Sequence, residues 1–531
     1  MISTQTAAAH ATTRDKEHEG VGILARALAR GTGVNLIGFA ARILFVLLHS
    51  FLAARLFGAE AYGVYSVGIA SVALLCAIGQ LGLDRTITRF VALYRAKGES
   101  RHVRSTLRVV LITSMPVSLA LGVALSLGAE PMSALFGEPR LMLPFRLLGF
   151  AVPLLALANL LTAFTQGFQQ MRPRVLALDM VGPGIEVIGL VVLSYLGAQQ
   201  TGLSLAYVLS VATSGALLVH YAGHCLRRSD AASADRPTRH RTVSLKPLIV
   251  FAIPVLAVDV LMSATHRINI LMLGALGTSA MVGIFSVLTR MTSLGATLLV
   301  SLNRMFSPVV AELVEQQRLA ELSRLYKIST RWALLAGLPF YLLLGFLGHE
   351  ILYLYGSEFV EGAAALWYLV GAGVFNVSTG SCGVILMMSG RPQYSAINQF
   401  IDLVLLIAAS FLLIPRYGLL GAACASAVGG ITVNSLRVVQ VWWHLRIHPY
   451  SIALLKVAMA GVAMGITLWA RQVVWGHGEG SLLTVGLWAA GSILVYAALL
   501  LFLRLEAEEK SMFRAVHTKL LSSRLSAQQG Q

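Results

Sequence analysis

The sequence predicts an all-α integral membrane protein with 14 transmembrane helices: two parallel six-helix lobes followed by two C-terminal helices. Three observations carry this expectation. The 531 residues are 56% hydrophobic and only 12% charged, with a mean hydropathy of +0.75, whereas soluble domains carry about 25% charged residues. Apolar runs of spanning length, about 20 residues each, recur along the whole chain. The runs also repeat. Gly63-Val64-Tyr65-Ser66-Val67 and Gly283-Ile284-Phe285-Ser286-Val287 open the second and eighth runs. Arg172-Pro173 and Arg391-Pro392 follow the fourth and tenth, and Gly202-Leu203 and Gly418-Leu419 open the sixth and twelfth. An apolar chain made of two like halves is an architecture of membrane transporters that bind substrate between the halves.

Residues 1–30 are polar, then weakly amphipathic, without the apolar core and cleavage site of a signal peptide, and read as a cytoplasmic or interfacial tail. Runs near 31–55, 63–84, 105–128, 143–166, 175–197 and 202–225 make an N-lobe, 31–226. A basic linker, 227–246, follows. Runs near 247–273, 281–303, 329–348, 362–389, 395–414 and 419–444 make a C-lobe, 247–445. The last two runs, near 452–474 and 483–505, lie within 446–505 and precede a tail, 506–531. Between the eighth and ninth runs, Met305-Phe306-Ser307-Pro308 leads into Val309, Val310, Leu313, Leu319, Leu322 and Leu325, interleaved with Glu312, Glu315, Arg318, Glu321, Arg324 and Lys327. That pattern predicts an amphipathic helix on the inner surface.

Loop cations set the orientation. With the N-terminus inside, 32 of the 41 Lys and Arg residues fall on the cytoplasmic side. Only Arg55, Arg140, Arg416 and Arg471 fall on the other. A wrong span count would scramble this alternation, so fourteen helices with both termini in the cytoplasm are expected. The formal charge of +17 is then an orientation signal and implies no nucleic-acid partner. Cys76, Cys225, Cys382 and Cys424 lack metal-ligand spacing. GxxxxGK[ST], HExxH and GxSxG are all missing, which argues against a nucleotide site, a metal or catalysis. No cofactor is expected; coupling to H+ or Na+ stays open.

Ionisable residues at membrane depth cost at least about 2.5–3.5 kcal/mol each, so they usually face a cavity or a partner. Asn35, Arg42 and His49 are spaced by seven on the first run, and Asp259 and His266 repeat that spacing on the seventh, with Arg267 alongside. Arg290 sits in mid-span on the eighth. Asp84, Arg85 and Arg89 close the second run, Asp179 and Glu186 share a face of the fifth, and Asp402 lies on the eleventh. Arg42, His49, Arg85, Arg89, His266, Arg267 and Arg290 are the candidate cationic substrate site, because guanidinium forks match phosphate oxygens. Asp259, Glu186 and Asp179 are the candidate ion-coupling groups. Arg85 and Arg89 read equally as interface anchors, Arg267 as a snorkelling residue, and His49 and His266 as structural histidines.

Leu56-Phe57-Gly58-Ala59-Glu60-Ala61-Tyr62-Gly63-Val64-Tyr65-Ser66, then Gly82-Leu83-Asp84-Arg85 through Arg89-Phe90-Val91-Ala92, and Phe306-Ser307-Pro308, resemble the polysaccharide-transporter, or oligosaccharide flippase, family. Its superfamily also holds lipid II flippases and multidrug and toxin extruders. The resemblance implies two lobes around a cavity that opens alternately to each side. It implies a polyprenyl-pyrophosphate-linked oligosaccharide as substrate, with its tail in membrane lipid, and glycosyltransferases and a polysaccharide polymerase as partners in surface polysaccharide synthesis (O-antigen, capsule or exopolysaccharide). Lipid II flippases are similar in having two helices beyond the twelve-helix core and essential arginines on their first, second and eighth helices. Arg42, Arg85 or Arg89, and Arg290 are the candidates here by helix. The alternatives are a lipid II flippase, a multidrug or cation antiporter, which would want an acidic cavity, and a membrane polymerase, which would need large outer loops.

Overall fold

The computed structural model describes residues 2–231, 245–475 and 482–503. Side chains are described from Gly38 onward, apart from residues 199–200, 230–231, 298, 392, 475 and 482–483. The side chain of Asn35, most of the basic linker and the C-terminal tail lie outside what the structure describes.

All regular structure among these residues is helical. Among the described residues eleven helices are long and apolar enough to span a membrane, and the bent pair Pro139–Leu148 and Ala151–Gly167, angled at 42°, makes a twelfth candidate. In chain order the longer helices are α1 (Gly38–Gly79), α2 (Leu83–Ala96), α3 (Ser100–Leu127), α4 (Ala151–Gly167), α5 (Arg172–Tyr195), α6 (Thr201–Ser229) and α7 (Leu245–Leu276). There follow α8 (Ser279–Glu315), α9 (Leu319–Phe346), α10 (Ser357–Thr379), α11 (Gln393–Leu445), α12 (Ile452–Val474) and α13 (Thr484–Phe502). The first two predicted spans form one continuous element, α1, interrupted by non-helical backbone at Gly58. The eleventh and twelfth form α11, interrupted in the same way at Gly418. Both breaks fall between the predicted runs.

Contacts divide the chain into two compact units, Met1–Gly283 and Ile284–Gln531. The first unit includes α7, which the sequence assigned to the second half. Packing explains why. A Cβ built on Gly82 would lie 2.4 Å from the Ala252 carbonyl oxygen and 2.6 Å from the Leu256 amide nitrogen, so only glycine lets α7 come this close. Gly82 also has φ +67°, a conformation that glycine adopts without strain. Its core joins Leu83, Ile87 and Val91 of α2 to Leu160 and Phe164 of α4, Leu218 of α6 and Ala252 of α7.

Gly63 and Gly283, the first residues of the repeated segments, meet within this unit. A Cβ on Gly63 would stand 1.7 Å from the Ser279 carbonyl oxygen, and one on Gly283 would stand 2.0 Å from the Ala59 carbonyl oxygen. The two glycines form a reciprocal contact of backbone against backbone. The Ser279 hydroxyl also donates to a Glu138 carboxylate oxygen at 2.6 Å, pinning the start of α8.

In the second unit the expected surface-lying amphipathic helix does not exist as a separate element. Its first part continues α8, with Pro308 inside the helix. Its second part opens α9, after a turn at Gln317 with φ +56°. Val310, Leu313 and Leu322 are buried with Phe306, Tyr326, Ile385 and Val441. The apolar stripe therefore faces protein, and burial there explains its periodicity.

The last two helices dock onto α9. Gln472 donates to the Phe346 carbonyl at 2.7 Å, and the Tyr496 hydroxyl donates to the Leu335 carbonyl at 3.0 Å. Arg471 of α12 meets Glu350 at 2.5 Å, with side chains 2% and 8% exposed. Removing one partner of a buried ion pair strands the other charge and costs about 3–5 kcal/mol. Arg471→Ala is expected to lower the melting point in detergent sharply, and Arg471→Met with Glu350→Leu to recover much of it. An unchanged melting curve for the single variant would refute the pairing. Arg140 is likewise paired with Glu60 and lies 4.0 Å from Glu138. Two of the four arginines that run against the charge bias are thus neutralised by acids.

Candidate functional site

The first unit assembles most of the candidate residues, through a match of spacing on two helices. Arg42 and His49 on α1 are seven residues apart, and so are Asp179 and Glu186 on α5. On one rung His49 Nε2 lies 3.1 Å from Glu186 Oε1. On the other, Arg42 and Arg174 are the cations that act on the Asp179 carboxylate. His49 and Asp179 are buried, Glu186 is nearly so, and Arg42 is exposed. The turn Val175–Val181 that carries Asp179 is a π-helix, a distortion frequent at functional sites.

Glu186 has a further partner. The Tyr65 hydroxyl donates to Glu186 Oε1 at 2.7 Å. Tyr65 stacks near Tyr62, with ring centroids 6.2 Å apart, and meets Tyr207 edge-on at 6.3 Å. The His49 ring lies 5.7 Å from that of Tyr65. Arg267 of α7 is within electrostatic reach of Tyr207. The result is a carboxylate in an aromatic shell, with a histidine and a phenol on the same oxygen. Tyr62, Tyr65 and Tyr207 are not among the residues that the sequence nominates. A signal for one of them was present: the repeat has Tyr65 in one copy and Phe285 in the other, so only one copy has a hydroxyl to donate.

A second cluster forms where α2 meets α7. Arg85 Nη2 lies 2.6 Å from Asp259 Oδ1, with side chains 56% and 19% exposed. Gly82, one turn earlier, lets α7 approach closely enough for Arg85 to reach. Two residues nominated for different roles, a substrate cation and a coupling acid, are therefore each other's partner. The Arg89 guanidinium lies 4.5 Å from the centre of the Phe251 ring, a cation–π contact that holds it on α7. His266 is exposed and Arg267 half-buried. Arg290 is half-buried on α8 and belongs to the second unit. Among the described residues no group of three or more His, Cys, Asp or Glu side chains could hold a metal ion.

The helices define a membrane protein whose first unit holds a buried His49–Glu186 pair, with Tyr65 on the same carboxylate oxygen. The chain shares its fold with solved lipid II flippase and multidrug transporter structures. Over 88% of its length it matches a structure of the lipid II flippase MurJ in an inward closed conformation, covering 97% of that chain with a TM-score of 0.69 and 14% identity. An inward-facing multidrug resistance MATE transporter matches with a TM-score of 0.64 and 15% identity, over 76% of this chain and 94% of the other. Stage V sporulation protein B of Bacillus subtilis (strain 168) is 24% identical over 514 residues, 90% of this chain and 94% of that protein. Residues 28–314, more than half of the chain, match the family described as "Polysaccharide biosynthesis protein", and the chain belongs to that family.

Proposed function

We propose that this chain is a flippase that carries a polyprenyl-pyrophosphate-linked oligosaccharide across a bacterial inner membrane by alternating access, for surface polysaccharide synthesis. Membership of the polysaccharide biosynthesis family is the observation that carries the reading. Counting α1 as two spans divided at Gly58 and α11 as two divided at Gly418 would give the fourteen that the charge alternation predicts. The pyrophosphate head needs cations inside the membrane, and Arg42 and Arg290 offer guanidiniums there. The lipid tail would stay in the bilayer. Glycosyl transfer must supply such a substrate, and polymerisation would consume its product.

The Glu186 rung is our candidate for ion coupling. Protonating Glu186 would remove the charge that His49 and Tyr65 address, so the proton state would bias one conformation over another. Asp179, on which Arg174 and Arg42 both act electrostatically, would sense the same substrate charge. Asp259, bound to Arg85, would act by gating that contact. A surplus of cations among these residues disfavours a cation antiporter.

The test is a translocation assay in vesicles that contain the purified protein and a lipid-linked oligosaccharide, read by an impermeant sugar-modifying reagent. The wild-type protein is expected to expose the sugar within the assay, and lipid II offered in its place to cross more slowly. Glu186→Gln is expected to remove the dependence of the rate on an imposed pH gradient. Sugar exposure no faster than in protein-free vesicles would overturn the flippase reading. An intact gradient response in Glu186→Gln would overturn the coupling role alone.

A further inference from the structure

We propose that a cavity of about 540 Å³ in the second unit, between the start of α9 and the start of α12, is a phosphate-binding site. Arg324, Lys327 and Arg331 line it together with Ser323, Ser451 and Ile452. The three cations sit at i, i+3 and i+7 on α9 and so share one helical face. Their exposure falls along the helix: Arg324 is exposed, Lys327 half-buried and Arg331 4% exposed. Positive charge thus runs from the mouth of the cavity to its floor. No carboxylate is among its lining residues. The nearest acid along α9, Glu321, is bound in a two-bond fork by Arg318, at 2.7 and 2.6 Å.

The opposite wall supplies a different donor. Ser451 and Ile452 are where α12 begins. The first backbone amides of a helix carry partial positive charge and lack acceptors of their own. Guanidinium forks, a lysine, two hydroxyls and a helix start around one volume suit a tetrahedral oxyanion better than a carboxylate. The ligand class is a phosphate group: a phospholipid headgroup from the bilayer or a soluble phosphate. In the orientation that underlies the proposed function the cavity opens at the cytoplasmic surface, where anionic lipids are abundant. The site belongs to neither of the clusters in the first unit. An occupant would bridge α9 to α12 and so tie the last two helices to the rest of the unit.

Binding can be measured without transport, so its failure and failure of the flippase reading are separable. Full-length protein in detergent is titrated with phosphatidylglycerol, phosphatidylcholine or inorganic phosphate and followed by native mass spectrometry. Phosphatidylglycerol is expected to bind in preference to phosphatidylcholine. Arg324→Gln with Lys327→Gln should weaken that binding by about fivefold for each cation removed. These two are the less buried of the three, so the variant should fold where Arg331→Gln is at risk. Arg101→Gln with Arg108→Gln removes the same charge from α3 and should leave binding unchanged. Displacement of the lipid by millimolar inorganic phosphate would support the site with free phosphate as its ligand. Lipid binding that phosphate does not displace would support it with the headgroup as its ligand. Equal weakening in both double variants, or none in Arg324→Gln with Lys327→Gln, would overturn the proposal.

Discussion

Replacing Gly63 with alanine is expected to prevent the first unit from reaching its native packing. The added Cβ would lie 1.7 Å from the Ser279 carbonyl oxygen and 2.7 Å from its carbon. Both obstacles are backbone, so no rotamer change relieves them, and α1 and α8 would have to separate. Gly283→Ala meets the same barrier from the other side, 2.0 Å from the Ala59 carbonyl oxygen. Ordinary overpacking of a core costs about 1–3 kcal/mol, and a backbone clash at these distances should exceed that. The measurement is the yield of monodisperse protein after detergent extraction. A normal yield of Gly63→Ala, with an unchanged melting point, would show that the helices do not approach as described.

The second large effect concerns transport. Arg42→Ala or Arg290→Ala is expected to abolish glycan export while the folded protein remains at normal levels. A hydrogen bond to a charged group contributes about 1.5–3 kcal/mol, so losing a phosphate contact at membrane depth should slow translocation at least tenfold. Lysine should rescue only in part, because it carries the charge without the planar fork. For Arg42 there is a further consequence: its loss leaves Asp179 with Arg174 as its remaining identified cation, so a conformational as well as a binding defect is expected. Export at the wild-type rate in both alanine variants would remove the cationic-site hypothesis.

The candidate site was legible in the sequence one helix at a time. Spacing by seven selected Arg42 with His49, and Asp179 with Glu186, because a seven-residue step returns to nearly the same helical face. That α1 and α5 lie rung to rung is a fact about two helices, which no single-helix periodicity contains. The same limit explains the pairing of Arg85 with Asp259. Each residue stood out as a membrane charge, but their contact depends on Gly82 admitting the α7 backbone. Tyr65 was missed for another reason: a tyrosine in an apolar run reads as packing unless its hydroxyl has a known acceptor, and the acceptor lies 121 residues away. The amphipathic stripe after the eighth run is two-faced, as its periodicity predicts, but it belongs to α8 and α9 and forms no separate surface helix. Periodicity reports that a face is apolar but not whether lipid or protein covers it.

Taken alone, the sequence determined the solvent, the helical class, the approximate limits of the spans and the repeated glycine segments. These follow from local composition, because a backbone in lipid must satisfy its own hydrogen bonds within each helix. Only the tertiary structure decided what the repeat does: Gly63 and Gly283 pack against each other, and the copies differ at Tyr65 and Phe285, where one has a hydroxyl for Glu186. The tertiary structure alone also gathered Arg324, Lys327 and Arg331 of α9 around the start of α12. Charges separated along a chain become a site only when packing removes water from between them and fixes their distances. That is set by which helices meet, and local sequence does not encode it.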